Sequence, residues 1–209
     1  MPTMTAADPP LEDHQDAALL VAIAAGDEQA FVDFYARRQP DVFRFAFAMA
    51  RSKSVAQDVT QEVFLNVLEN ASRFDTAKGS ARAWLFGCAR YVILDRLRLE
   101  RRWTDALPEV AIEHEGDAKL LTEQRVGRLH AALARLPIEY REALVFCDLQ
   151  EWTYAATAAV LDCPIGTVRS RLHRGRALLA ALLVEGEAGA RTAPVLAEPG
   201  VLQPREVCS

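Results

Sequence analysis

Apolar residues return every three to four positions along most of the chain, and no stretch alternates apolar with polar for the length of a strand. The pattern predicts helices throughout. Residues 17–25 form a short lead helix. Asp27 can cap a second helix, ending near Arg38, because a carboxylate accepts the unpaired amides of a first turn. Pro40 suits the start of a third, through Phe43, Phe47 and Met49, since its missing amide would be unpaired there. Ser54 opens a fourth, whose apolar edge of Val55, Val59, Val63 and Val67 is broadened by Phe64 and Leu68. Residues 73–80 hold Asp75 and Gly79 and read as a loop. A long helix follows over 81–102, with Leu85, Ala89, Val92 and Leu99 facing a core.

The periodicity then fails once. Residues 104–122 carry Pro108 and Gly116, are rich in acid, and read as a flexible linker. Leu129, Leu133, Leu136, Leu144, Val145 and Leu149 supply the core of a second body. Beyond Val184, Gly, Ala and Pro dominate, and disorder is expected. The expected fold is therefore all-α: two small helical domains joined by a flexible linker, the second a helix-turn-helix domain. The expected boundaries are an N-terminal arm with the lead helix (1–26), the first domain (27–103), the acidic linker (104–122), the second domain (123–184) and a tail (185–209).

The second domain carries the sharpest signal. Thr153 can cap a short helix over 154–161, and the run from Pro164 to Arg176 reads as a turn opening into another. Ala158, Asp162 and Val168 fall where a helix-turn-helix needs a small residue, a tight turn and a buried aliphatic. Asp is a tolerable second choice to glycine at a left-handed turn. Ile165, Val168, Leu172 and Leu179 can pack inward. Thr167, Ser170, Arg171 and Arg174, at i, i+3, i+4 and i+7, share the outward stripe, flanked by Arg169 and Arg176. A helix face of guanidinium groups and short hydroxyls suits the DNA major groove. An amphipathic helix with a solvated basic face is the plainer reading; turn, cap and face together favour DNA.

Two helices of the first domain also invite a functional reading. Asp58, Gln61, Glu62 and Leu65 share one stripe beside Phe64, which can be exposed. That mixture suits a protein interface as readily as a solvated face. In the long helix, Trp84 and Tyr91 lie two turns apart among Arg90, Arg96, Arg98, Arg101 and Arg102. Aromatics among arginines suit single-stranded nucleic acid, whose bases stack on rings while arginines hold the backbone. Trp84 taken alone reads slightly better as a core residue.

Composition sets bounds. The 209 residues carry a formal charge of −5, which at first argues against a nucleic-acid partner. The charge is segregated, however, with base over 90–102 and 169–176 and acid over 105–123. Screening beyond about 8 Å makes such patches count more than their sum. Such a chain should bind DNA poorly alone and better when a partner holds it. No apolar run is long enough for a bilayer and the first 16 residues lack signal-peptide character, so a cytoplasmic protein is expected. Cys88, Cys147, Cys163 and Cys208 form no C-x-x-C pair, and Cys88 and Cys147 read as small core residues. None of His14, His114, His130 and His173 follows a Glu by three residues, which removes the carboxylate-bridged metal bundle. No nucleophile motif is present, and neither enzyme activity nor a cofactor is expected. A free-standing regulator remains as a rival, although such proteins usually dimerise on paired half-sites and would leave both helices of the first domain without a role.

Three blocks, residues 57–64, 84–98 and 164–176, occur in the order and spacing of one family. On them the chain resembles the bacterial extracytoplasmic-function (ECF) RNA polymerase sigma factors, over roughly residues 27–183. The resemblance implies a first domain like sigma region 2 and a second like region 4. It implies docking on core polymerase, at the beta-prime coiled coil and the beta subunit, through Asp58, Gln61, Glu62 and Phe64. It implicates Trp84, Arg90, Tyr91, Arg96 and Arg98 in recognising and melting the −10 promoter element. Thr153, Thr167, Arg169, Ser170, Arg171 and Arg174 would serve the −35 element. An anti-sigma protein is a further candidate partner. Tyr91 stands where the family commonly has asparagine, and Ala156 and Thr157 replace a usual glutamate and isoleucine. Thr157 can return its hydroxyl to the carbonyl of Thr153.

Overall fold

The structure, a computed structural model, describes residues 11–103 and 117–191. Eight α-helices make up nearly all of the described residues: α1 (Leu11–Ala24), α2 (Glu28–Ala50), α3 (Lys53–Asn70), α4 (Ala81–Trp103), α5 (Asp117–Arg135), α6 (Ile138–Leu144), α7 (Tyr154–Val160) and α8 (Ile165–Arg191). One 3₁₀ turn, Ala71–Arg73, follows α3, and one π turn, Val145–Leu149, continues α6. No helix among the described residues is long and apolar enough to cross a membrane.

The first body is α1–α4. Asp27 caps α2 as expected, its carboxylate accepting the Ala30 amide at 3.1 Å. Pro40, however, does not open a new helix; it lies inside α2. A proline within a helix removes one ladder bond and crowds the preceding turn. Here Phe34, Val42, Phe45 and Met49, on both sides of it, belong to one fully buried stripe. Arg38 and Asp41, which bracket the proline, pair at 3.1 Å, and Arg38 also reaches Asp16 of α1 at 2.5 Å. Packing and ion pairs thus carry the helix through. It ends at Arg51, in the left-handed region (φ 58°). Ser52, rather than Ser54, then caps α3, its hydroxyl accepting the Val55 amide at 3.3 Å.

The lead helix starts at Leu11, six residues before the expected start, because two of its acids are structural. Asp13 accepts the Arg82 amide at 3.0 Å and, with the Ser80 hydroxyl on the Ala83 amide, caps α4. In the core of this body, Val59, Val63, Val67, Leu85 and Ala89 are fully buried, as expected. Leu68 and Leu99 are exposed, contrary to expectation: the buried arc is filled by Phe64 on α3 and by Phe86 and Ile93 on α4.

The second body is α5–α8. Residues 117–122, expected in the linker, are helical and begin α5; residues 104–116 lie outside the described ones. Leu133, Leu136, Leu144, Val145, Val168 and Leu172 are buried, whereas Leu149 and Ile165, expected inside, are about 40% exposed at the ends of their elements. Gly175 lets α8 approach α6 closely: a Cβ there would sit 3.2 Å from a methyl of Leu144. α8 continues to Arg191, so the first residues of the expected disordered tail are helical; residues 192–209 lie outside the described ones.

The two bodies pack against one another. Phe45 and Phe86 of the first body meet Phe146 and Trp152 of the second, with ring centroids 5.0–6.1 Å apart and all four side chains buried. Arg82 lies 4.8 Å over the Trp152 ring and donates to the Gln150 carbonyl. Arg141 donates to the Met49 carbonyl at 2.7 Å, and Phe47 packs edge-on against His130.

Candidate nucleic-acid interface

The helix-turn-helix forms as its residues require. The Thr153 hydroxyl accepts the Ala156 amide at 3.2 Å and starts α7. Asp162 takes the left-handed conformation (φ 49°) between α7 and α8, and Ala158 and Val168 are buried at the crossing. Thr157 is fully buried, and its hydroxyl meets the Cys147 sulfur at 3.2 Å instead of returning to Thr153. Burial pushes the Cys147 thiol up despite that hydrogen bond, and burial does the same to Cys88, so both stay neutral; each is half-buried at the edge of the packing rather than inside the core as expected.

On α8, Arg169, Ser170 and Arg174 are exposed, while Thr167 and Arg171 are half-buried beside them. Neither Arg169 nor Arg174 has an ion-pair partner among the described residues; Arg171 leans on the Cys163 sulfur at 3.9 Å. The Ser170 hydroxyl donates to the Thr167 carbonyl. Arg176 is different: Asp148 holds it with two hydrogen bonds of 2.6 and 3.0 Å, which fixes α8 against the π turn. The predicted stripe is therefore assembled and open, with its last flanking cation committed to the fold.

On α3, Asp58, Gln61, Glu62 and Leu65 share an exposed face. Phe64 does not join them. It is 2% exposed, with its ring against Phe31, Phe34 and Tyr35, because α3 turns its phenylalanine edge into α2. The expectation of an exposed Phe64 is corrected; Leu65, at 60% exposed, supplies the apolar part of the face. Asp58 and Gln61 also line a shallow groove of about 370 Å³ with Tyr35, Gln39 and Phe43 of α2. The α3 stripe alone could not reveal those three, since they come from another helix.

On α4 the predicted residues meet different fates. Tyr91 is 72% exposed and Arg98 is exposed. Trp84 is half-buried, its ring 5.9 Å from that of Phe74. Arg96 pairs loosely with Glu62 of α3 at 3.4 Å, an exposed contact of little strength. Arg90 is not free: it donates to Glu142 of α6 at 2.7 and 3.4 Å. Glu142 went unnoticed in the sequence. The only hint is a charged pair, Arg141-Glu142, abutting the apolar run Ala143-Leu144-Val145-Phe146.

Comparison with known proteins converges. Residues 34–103 match the sigma-70 region 2 family and residues 127–179 match sigma-70 region 4. The chain is 37% identical over 181 residues to the ECF RNA polymerase sigma factor SigC of Mycobacterium tuberculosis, a match covering 85% of this chain and 95% of that protein. It is similar in structure to CnrH, solved in complex with the cytosolic domain of CnrY. There the TM-score is 0.64 and the identity 26%, over 82% of this chain and 98% of that one. It is likewise similar to the sigma factor RpoE of Bartonella quintana, solved with the anti-sigma factor NepR. That match has a TM-score of 0.63 and 25% identity, over 74% of this chain and 96% of the other.

Proposed function

This chain belongs to the ECF family of RNA polymerase sigma factors, and we propose that it docks on core polymerase through α3, recognises promoter DNA through α4 and α8, and acts only within that assembly. The observation that carries the reading is the open α8 stripe behind the left-handed Asp162 turn, with Arg169 and Arg174 exposed and without an ion-pair partner among the described residues. Guanidinium groups so placed can grip phosphates or take guanine edges in the major groove at the −35 element. Thr153, exposed at the start of α7, serves the same element.

On α4, the exposed Tyr91 ring and the Arg96 and Arg98 side chains suit the −10 element, where unstacked bases lie on aromatic rings and cations hold the strand. Trp84, already packed on Phe74, borders that surface. Asp58, Gln61, Glu62 and Leu65 form the docking face, where carboxylates meet cations of the polymerase. The first promoter-reading body is the domain 27–103 and the second the domain 123–184; of the segment 104–122 between them, residues 117–122 already begin α5. The protein is not an enzyme; RNA synthesis belongs to the polymerase. Its place of action is the cytoplasm. An anti-sigma protein is a candidate partner, as both solved relatives are held in complexes.

The test is transcription in vitro with purified core polymerase on a genomic promoter library. Defined start sites that depend on the chain are expected; a chain that directs core to no start site would defeat the proposal. Tight duplex binding without core would favour a free-standing regulator instead.

A further inference from the structure

To read base edges, α8 must be aimed as well as placed. A recognising side chain has to be held within about 0.5 Å and 10–20° by the residues behind it. Arg169 lies seven residues before Arg176, about 10 Å along the helix. A swing of about 10° around Arg176 would therefore carry the Arg169 backbone about 2 Å out of place.

Two neighbouring residues hold that end of the stripe. Gly175 sets the distance, since a Cβ there would crowd Leu144 and Tyr140 of α6. Arg176 sets the angle. Its Nε–H and a terminal N–H fork onto the two oxygens of Asp148, at 3.0 and 2.6 Å, and the Tyr154 hydroxyl at the start of α7 serves the same guanidinium. Asp148 comes from the π turn, where the Gln150 amide reaches back five residues to the Val145 carbonyl at 2.9 Å. A π turn departs from the α-helical register, and such turns collect at functional sites. This one keeps Phe146 in the core while giving Asp148 to α8. Partly exposed ion pairs contribute little as a rule, but a two-bonded fork on a carboxylate is stronger and fixes direction.

We propose that Asp148 and Arg176 are positioning residues for the DNA-reading helix: their pair, steadied by Tyr154, fixes the angle at which Arg169, Ser170 and Arg174 meet the −35 element, and Arg176 itself touches no DNA. This deepens the sigma-factor reading of α8 and rests on it. The consequence runs against simple charge. Removing an acid beside a DNA face should strengthen binding, and removing a cation should weaken it. A positioning pair makes both removals act alike: discrimination between sequences falls.

The test uses holoenzyme assembled from the full chain and core polymerase. Its DNA is a promoter found in the transcription library, intact or with its −35 element scrambled, and affinities are measured over a range of salt. Asp148→Ala and Arg176→Ala should each lower the preference for the intact element about five- to tenfold, a part of what a lost base contact removes. The double variant should lose no more than either single one, since both break one pair. Affinity for the scrambled promoter and the salt slope should stay at wild-type values, whereas a collapsed second body would lower both. Opposite effects of the two substitutions, losses that add in the double variant, or a slope lowered by about 0.9 in Arg176→Ala would overturn the clamp, the last by making Arg176 a phosphate contact. The pair is also read without DNA: the Arg176 Nε–H resonance should exchange slowly with water in the wild type and quickly in Asp148→Ala. Fast exchange in the wild type would overturn the clamp as well. Slow exchange in a chain whose wild-type holoenzyme ignores the −35 element would keep the clamp and sink the sigma-factor reading of α8 instead.

Discussion

The two cationic helices, α4 and α8, look alike in sequence and differ in what their arginines touch. On α8, Arg169 and Arg174 stand in solvent with no ion-pair partner among the described residues. On α4, Arg90 is bound to Glu142 of the other body and Arg96 leans on Glu62. Residue type and helical spacing decide where a guanidinium can point. Tertiary structure decides whether it is available. A basic stripe read from a sequence therefore predicts a possible chemistry, and only the partners across the fold tell whether a second event must release it.

The largest effect concerns the premise of that comparison, that neither helix works until the chain is docked. Asp58→Arg with Glu62→Arg should abolish association with core polymerase, because both carboxylates are exposed on α3 and reversal turns attraction to repulsion. Thermal unfolding should be nearly unchanged apart from the loose Arg96 contact. Holoenzyme assembly at wild-type affinity, measured by co-elution with core, would remove the docking face from the account.

The next effect separates the two helices directly. Arg90→Ala leaves the nearly buried Glu142 carboxylate without its cation and should lower unfolding free energy by about 2 kcal/mol. Arg174→Ala removes an exposed side chain with no ion-pair partner among the described residues and should change stability by less than about 0.5 kcal/mol. In promoter binding Arg174→Ala should still cost about 1–3 kcal/mol if it takes a base edge, with relaxed specificity at one position. Chemical denaturation of both variants, beside holoenzyme titrations, measures each half. Equal losses of stability would mean that the two helices are not different in kind.

Much of this was legible in the sequence, and the failures share a cause. The Asp27 and Thr153 caps, the left-handed Asp162 turn and the buried Val168 follow from local chemistry, which a window of a few residues contains. Pro40 misled because local geometry favours a helix start there, whereas packing on both sides of it holds one continuous helix. Asp13 and Asp16 fall before the expected lead helix, in the N-terminal arm, because their partners, the Arg82 amide and Arg38, lie 69 and 22 residues away. Phe64 reads both as part of the apolar edge and as a residue that can be exposed, because periodicity alone does not say which edge meets α2. Glu142 was missed for the same reason as Asp13: its meaning lies 52 residues upstream.

A smaller effect tests whether α7 presents α8 rigidly. Thr153→Ala removes the hydroxyl that accepts the Ala156 amide and should lower the stability of the second body by about 1 kcal/mol. Since Thr153 is also exposed at the proposed DNA face, Thr153→Ser, which keeps the cap, distinguishes the two roles. Full recovery of stability with promoter affinity still reduced would assign the methyl group or its position to DNA; recovery of both would leave Thr153 as a cap alone.

The smallest effect comes from the seam between the bodies. His130 packs against Phe47, and its pKa is lowered from the ordinary value near 6.5, first by burial and then by the charge of Arg51. A histidine with a depressed folded-state pKa favours the folded, closed form while neutral. Its contribution is complete above the unfolded value and is lost as pH falls through the depressed folded value. Acidification below about pH 6.5 should therefore destabilise the fold through His130. Denaturation midpoints compared between neutral and mildly acidic solution should fall more for the wild type than for His130→Phe, which keeps a ring against Phe47 and carries no proton. A slope indifferent to His130→Phe would place the acid sensitivity in another group and leave the seam to its rings and the Glu142 pair.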